Sequence, residues 1–151
     1  MKMKSDYVHE LREQGAVCEG NFLRLRRLLP DFCTDLQREF SIRAEPQLDT
    51  EMTLRVTERF RYTATVEITL QQHHMPQPFA RQAFRVRVYL DANTSEVMTL
   101  ERMGSLQGVY NYPNPQMYHA DEKAQLNRWL AEWLRLLSVH GRSRQLPGFT
   151  H

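Results

Sequence analysis

The most regular stretch of the chain is FRYTATVEITL, residues 60–70. Phe60, Tyr62, Ala64, Val66, Ile68 and Leu70 alternate with Arg61, Thr63, Thr65, Glu67 and Thr69. A period of two predicts a strand with one face buried and the other in water. Met52, Leu54 and Val56 predict a preceding strand over 51–57, and the short link TER makes the two an antiparallel hairpin. Phe84, Val86, Val88 and Leu90 predict another strand over 83–90. Asp91-Ala92-Asn93-Thr94 then forms a turn, with Asn93 suited to a positive φ, and 95–103 returns as a strand. Phe40 and Ile42 mark a weaker candidate within 36–44, and 106–110 either extends the last strand or adds a short piece. The stretch QQHHMPQPFARQ (71–82) reads as a loop, because Pro76 and Pro78 cannot donate to a ladder.

The two ends of the chain carry a different period. Tyr7, Leu11, Cys18, Phe22, Leu25 and Leu29 recur at helical spacing over Ser5–Leu29, and Pro30 ends that helix. Leu126, Trp129, Leu130, Trp133, Leu134 and Leu137 form one stripe over 120–139. Asp121 and Glu122 suit the positive end of that helix, and Gly141 is placed as its C′ residue. The order is α-β-β-β-β-β-α. Hairpin-length links predict an α+β fold: an antiparallel β-meander of about five strands with the N- and C-terminal amphipathic helices packed on one face. We expect one domain over 1–141 and a flexible tail over 142–151.

Composition narrows the function classes. Hydrophobic residues make up 41% and charged residues 25% of 151, which suits a globular domain with a real core. Apolar runs are a few residues long, far short of the roughly 18 that a membrane span needs, and no apolar stretch follows the two N-terminal lysines. A cytoplasmic protein is expected, and two cysteines without metal-type spacing agree. Net charge is +2, and residues 1–60 hold 10 basic against 11 acidic side chains, which argues against a nucleic-acid binder. There is no GxGxxG, GxxxxGK[ST] or GxSxG, so neither a phosphate loop nor a nucleophile elbow is present, and no cofactor is implied. His73-His74 is the one histidine pair. Adjacent extended residues point to opposite sides, so it reads as a solvated loop rather than a metal site.

Several stretches resemble the YqiB-like family of bacterial proteins: NFLRLRRLLP (21–30), ERFRYTATVEI (58–68), FRVRVYLDANTSEV (84–97) and YNYPNPQMYHADEKAQLNRWLAEWLRLLSVHG (110–141). The resemblance implies a small, single-domain, cytosolic protein of unknown function, and it supplies no catalytic residue. It also implies a gene neighbourhood with a nucleotide-sugar-cleaving Nudix hydrolase and a cyclic-nucleotide phosphodiesterase. The family motif falls on Asn21, Arg26, Arg27, Tyr62, Tyr112, Pro113, Asn114, Asp121, Glu122, Lys123, Asn127 and Trp133.

Three surfaces are candidates for binding. Arg24 and Arg27 share a helix face and, with Arg85, Arg87 and Tyr89 on the wet side of their strand, could hold a phosphate or an acidic partner. The simpler alternative is a solvated face of ion pairs. The second is the sheet's open polar face, where Arg61, Thr63, Thr65, Glu67 and Thr69 stand beside Arg85, Arg87 and Tyr89 if those strands pair, either as an ordinary wet face or as a partner or dimer surface. The third is Tyr110, Tyr112, Asn114, His119 and Asp121, where a proline corner meets a helix N-terminus. Pro113 and Pro115 favour a rigid corner that sets how the Trp129–Trp133 helix meets the sheet. With no catalytic constellation, the expectation is a non-enzymatic binding or adaptor protein with a protein partner, and a homodimer through an edge strand or the polar face is a further option. A small anionic ligand, as in a phosphate or nucleotide sensor or enzyme, is the alternative, and nucleic-acid binding is the third reading.

Overall fold

The structure is a computed structural model that describes residues 4–44, 47–73, 75–76, 80–104, 108–111 and 120–144. Helix α1 (Lys4–Leu28) leads through a 310 turn (Pro30–Phe32) into β1 (Gln37–Ala44), β2 (Gln47–Arg59), β3 (Thr63–Gln72), β4 (Arg81–Tyr89), β5 (Thr94–Gly104) and β6 (Gly108–Asn111). Helix α2 (Ala120–His140) follows, then β7 (Gly141–Ser143). The sheet has seven antiparallel strands in the order β6-β5-β4-β3-β2-β1-β7. This is the α+β meander that the alternation predicts, with a short strand added at each edge. The last strand returns after α2 to pair with β1.

Both helices lie on the apolar face. Met52, Leu54, Val56, Val66, Ile68, Leu70, Phe84, Val86 and Val88 are fully buried there against Leu126, Leu130, Trp133, Leu134 and Leu137 of α2. Each such side chain contributes roughly 1.5–3 kcal/mol by leaving water. Trp129 meets Phe84 edge to face at 6.1 Å, so the tryptophans seal one side of the core. The α2 backbone comes closest to β1 and β5, on either side of the central three strands, whose large side chains fill the space beneath it. Phe22, Leu25 and Leu29 of the α1 region are buried, whereas Val8 and Leu11 are 41% and 51% exposed. The helical stripe is therefore longer than the core it covers.

Four local features differ from the sequence reading. The link between β2 and β3 is not Thr57–Arg59. The β2 strand runs through those residues with a bulge at Thr57, since Val56 faces Val66 and Glu58 faces Thr65. The turn is Phe60-Arg61-Tyr62, and Phe60 and Tyr62 are exposed instead of joining the core face. Those two residues keep the period of two, so alternation alone cannot mark where the strand ends. The loop expected over 71–82 is shorter, because Gln71 and Gln72 extend β3 while Arg81 and Gln82 begin β4. Gly141 opens β7, and an added Cβ there would lie 2.4 Å from the Leu137 carbonyl oxygen. Its role is close approach rather than a left-handed C′ conformation. Arg142 and Ser143, placed in the flexible tail by sequence, pair with Ser41 and Phe40.

Candidate functional site

The outer face of the sheet carries the predicted wet residues in rows fixed by register. One row runs Gln37, Arg55, Glu67, Arg85, Thr99. The next runs Glu58, Thr65, Arg87, Glu96. A third runs Arg142, Ser41, Glu51, Gln71, Arg81. Opposite charges stand across from each other, an arrangement that contributes roughly 0.2–1 kcal/mol per pair. Arg55 also reaches Asp35 at 3.1 Å, and Glu51 takes Arg144 at 3.3 Å and His73 at 3.6 Å. The face is thus charged but locally balanced, which a phosphate-backbone groove would not be.

Arg24 and Arg27 do not join Arg85 and Arg87. They sit on α1, which covers the apolar side, while Arg85 and Arg87 are exposed on the other side of the sheet. The sheet separates the two pairs, so the four arginines form no common phosphate site. Arg24 is half-buried near Gly20, and Arg26 lies over the Phe22 ring at 5.5 Å. Arg61 leaves the strand face for the β2–β3 turn and stacks on Tyr62 at 5.2 Å. Tyr110 is paired in β6 opposite Arg102, and Asp121 lies in the first turn of α2. Tyr112, Asn114 and His119, and with them the proline corner, lie outside the described residues.

The structure also assembles a polar junction that spacing did not reveal. Asn127 of α2 is 2% exposed, and its Oδ1 accepts the Val97 N–H of β5 at 2.9 Å. Its Nδ2 donates to the Lys123 carbonyl at 2.9 Å, and its own carbonyl accepts Asn21 Nδ2 of α1 at 3.0 Å. Ser95 donates to the Cys18 carbonyl at 3.0 Å. Two helices and a strand are thereby fastened through side chains 106 positions apart in sequence, which no local pattern announces. The sequence signal available was only an asparagine at a core-facing position of each helix.

Beside this junction lies a groove of about 460 Å³ between α1, the end of the β4–β5 hairpin and α2. Cys18, Tyr89, Ser95, Glu96, Lys123 and Asn127 are among its walls. Burial, then Glu96 and Glu19, push the Cys18 thiol up to about 11. Burial and the Glu96 carboxylate also raise Tyr89, whose hydroxyl donates to Glu96 Oε1 at 3.1 Å. Both groups are protonated at neutral pH. The groove therefore offers hydrogen-bond donors and acceptors rather than an activated nucleophile. Among the described residues, no group of three or more His, Cys, Asp or Glu could hold a metal ion. No helix among them is long and apolar enough to cross a membrane.

Comparison with known proteins places this architecture. The model of DUF1249, a protein family of unknown function, matches residues 24–143. The chain belongs to the DUF1249 family. The uncharacterized protein YqiB of Escherichia coli K12 is 33% identical over 135 residues, covering 89% of this chain and 93% of that relative. The YqiB proteins of E. coli O6:H1 and O157:H7 match to the same extent. No solved structure matches the chain. The family match spans β1 to β7 together with α2, so the sheet and the helix that packs on it are the family's shared body.

Proposed function

We propose that this DUF1249 chain is a cytoplasmic, non-enzymatic binding or adaptor protein that engages a protein partner through the outer face of its sheet. One observation supports the reading most: the register sets Arg55, Glu67 and Arg85 in a row beside Glu58 and Arg87, on the sheet face away from both helices. Alternating charge on a sheet surface favours a partner with the complementary pattern and disfavours a uniformly charged polymer. The test is a photo-crosslinking residue at position 85, with a control at Arg128 on the exposed side of α2. A discrete protein adduct at 85 that is absent at 128 and is abolished by Arg55→Glu/Arg87→Glu supports the reading. Identical adducts at both positions, or adducts unmoved by charge reversal, overturn it. A dimer of this chain would appear as an adduct of its own mass.

A second reading, a small anionic ligand, has its own observation. Ser41, Arg43, His140 and Arg142 line a cavity of about 420 Å³ at the β1–β7 edge, and among the described residues no carboxylate side chain is in its walls. Titration with inorganic phosphate, followed by amide NMR, tests it. Shifts centred on Arg142 that vanish in Arg43→Ala/Arg142→Ala support it, and an unmoved spectrum removes it.

A further inference from the structure

We propose that the β2–β3 tip, Arg59-Phe60-Arg61-Tyr62, is an aromatic anchor that docks into an apolar pocket rimmed by carboxylates on a partner protein. The inference rests on the adaptor reading and names the chemistry of the partner. Phe60 and Tyr62 are 60% and 51% exposed, although their alternation with the core residues of β3 matches a buried face. Large rings left in water at a turn are costly to a free molecule and are the side chains most enriched at interface centres, together with arginine.

The tip is held in one shape. The Phe60 N–H donates to the Thr63 carbonyl at 2.8 Å, and the Leu90 N–H donates to the Tyr62 carbonyl at 2.8 Å, tying the turn to the end of β4. Arg59 Nε donates to the Asp31 carbonyl at 3.2 Å, while its Nη1 donates to the carbonyls of Phe60 and of Arg61. That guanidinium braces the turn from behind. Arg61 lies over the Tyr62 ring at 5.2 Å and keeps it oriented. A pre-ordered anchor loses little conformational freedom on docking.

Charge identifies the partner. Arg59 and Arg61 alternate with the rings, and among the described residues neither forms an ion pair. Among the described residues, Arg59 donates to carbonyl oxygens and Arg61 lies over a ring. Their positive charge is left for carboxylates around the receiving pocket. A nucleic acid would find the same rings and arginines, but the neighbouring outer-face row carries Glu58 beside Arg87. That balanced charge favours a protein.

Random peptides displayed on phage, selected on the full chain and counter-selected on Phe60→Ala/Tyr62→Ala, test the anchor. Both rings are exposed, so the variant folds as the parent does, and circular dichroism checks this. The expected peptides carry an apolar residue between acidic ones and bind the parent at least about tenfold tighter than the variant, with a smaller loss in Arg61→Ala. No enrichment, peptides without acids, or equal binding to both proteins overturns the anchor. Oligo-dT that binds the tip in place of acidic peptides overturns it too. The adaptor reading fails separately, through crosslinks at position 85 that ignore charge reversal.

Discussion

Asn127→Ala should be among the most damaging single truncations of a polar side chain in this protein. The side chain holds the Val97 N–H at 2.9 Å and the Lys123 carbonyl at 2.9 Å, and both Asn127 and Val97 are almost wholly buried. Alanine leaves the Val97 N–H without its acceptor in a site closed to water. An orphaned buried donor costs about 1–3 kcal/mol, and the second lost bond adds about 1 kcal/mol or less, because Lys123 keeps its place in the helix. A total of about 1–4 kcal/mol follows, centred near 2–3 kcal/mol. With an m-value near 2 kcal/mol/M, the urea midpoint should fall by about 1–1.5 M. Asn21→Leu supplies the control. Asn21 donates one bond through Nδ2, and its buried Oδ1 has no partner, so leucine removes one bond and one unsatisfied oxygen together. Its cost should stay below about 1 kcal/mol. Hydrogen exchange adds a local reading: the Val97 amide should lose protection in Asn127→Ala and keep it in Asn21→Leu. A midpoint shift under about 0.5 M for Asn127→Ala, or equal losses for the two variants, would refute the account of the junction.

The two glycines with contrasting surroundings should respond in opposite directions. Gly15 has nothing within 4 Å of an added Cβ, so Gly15→Ala should stabilise α1 by roughly 0.5–1 kcal/mol, read as a higher Tm. Gly141→Ala drives a methyl into Leu137 and should cost about 1–3 kcal/mol, with loss of protection at the Arg144 amide that bonds the Glu39 carbonyl. The thiols should label unequally. Cys33 is exposed, whereas Cys18, raised from 9.0 to about 11, holds a thiolate fraction at pH 8 about a hundredfold below that of an ordinary thiol. Iodoacetamide with peptide mapping should find Cys33 first, and Cys18 labelling should climb as pH approaches 11. Because the folded state keeps that proton longer than the unfolded chain, stability should be level below pH 9 and decline between pH 9 and about 11. Equal labelling at pH 8 would remove the burial argument.

The elements and their faces are legible in the chain's periodicity. A period of two places Met52, Leu54, Val56, Val66, Ile68, Phe84, Val86 and Val88 in one buried layer, and a period near 3.6 gives α2 its stripe from Leu126 to Leu137. Hydrophobic burial is nearly additive along such a pattern, so the meander and the covered face are legible without coordinates. What depends on strand pairing and layer closure is settled in the folded chain. The same alternation runs through Phe60 and Tyr62, yet they stand in water, because the bulge at Thr57 and the bonds of Arg59 move the turn onto them. Arg24 and Arg27 share a charge type with Arg85 and Arg87, yet the sheet lies between them, and charge in a sequence has no side. The Asn21–Asn127–Val97 junction and the β1–β7 pairing join residues from distant parts of the chain. Contacts of that kind are set by how layers close on each other, and only the folded chain brings their partners within reach.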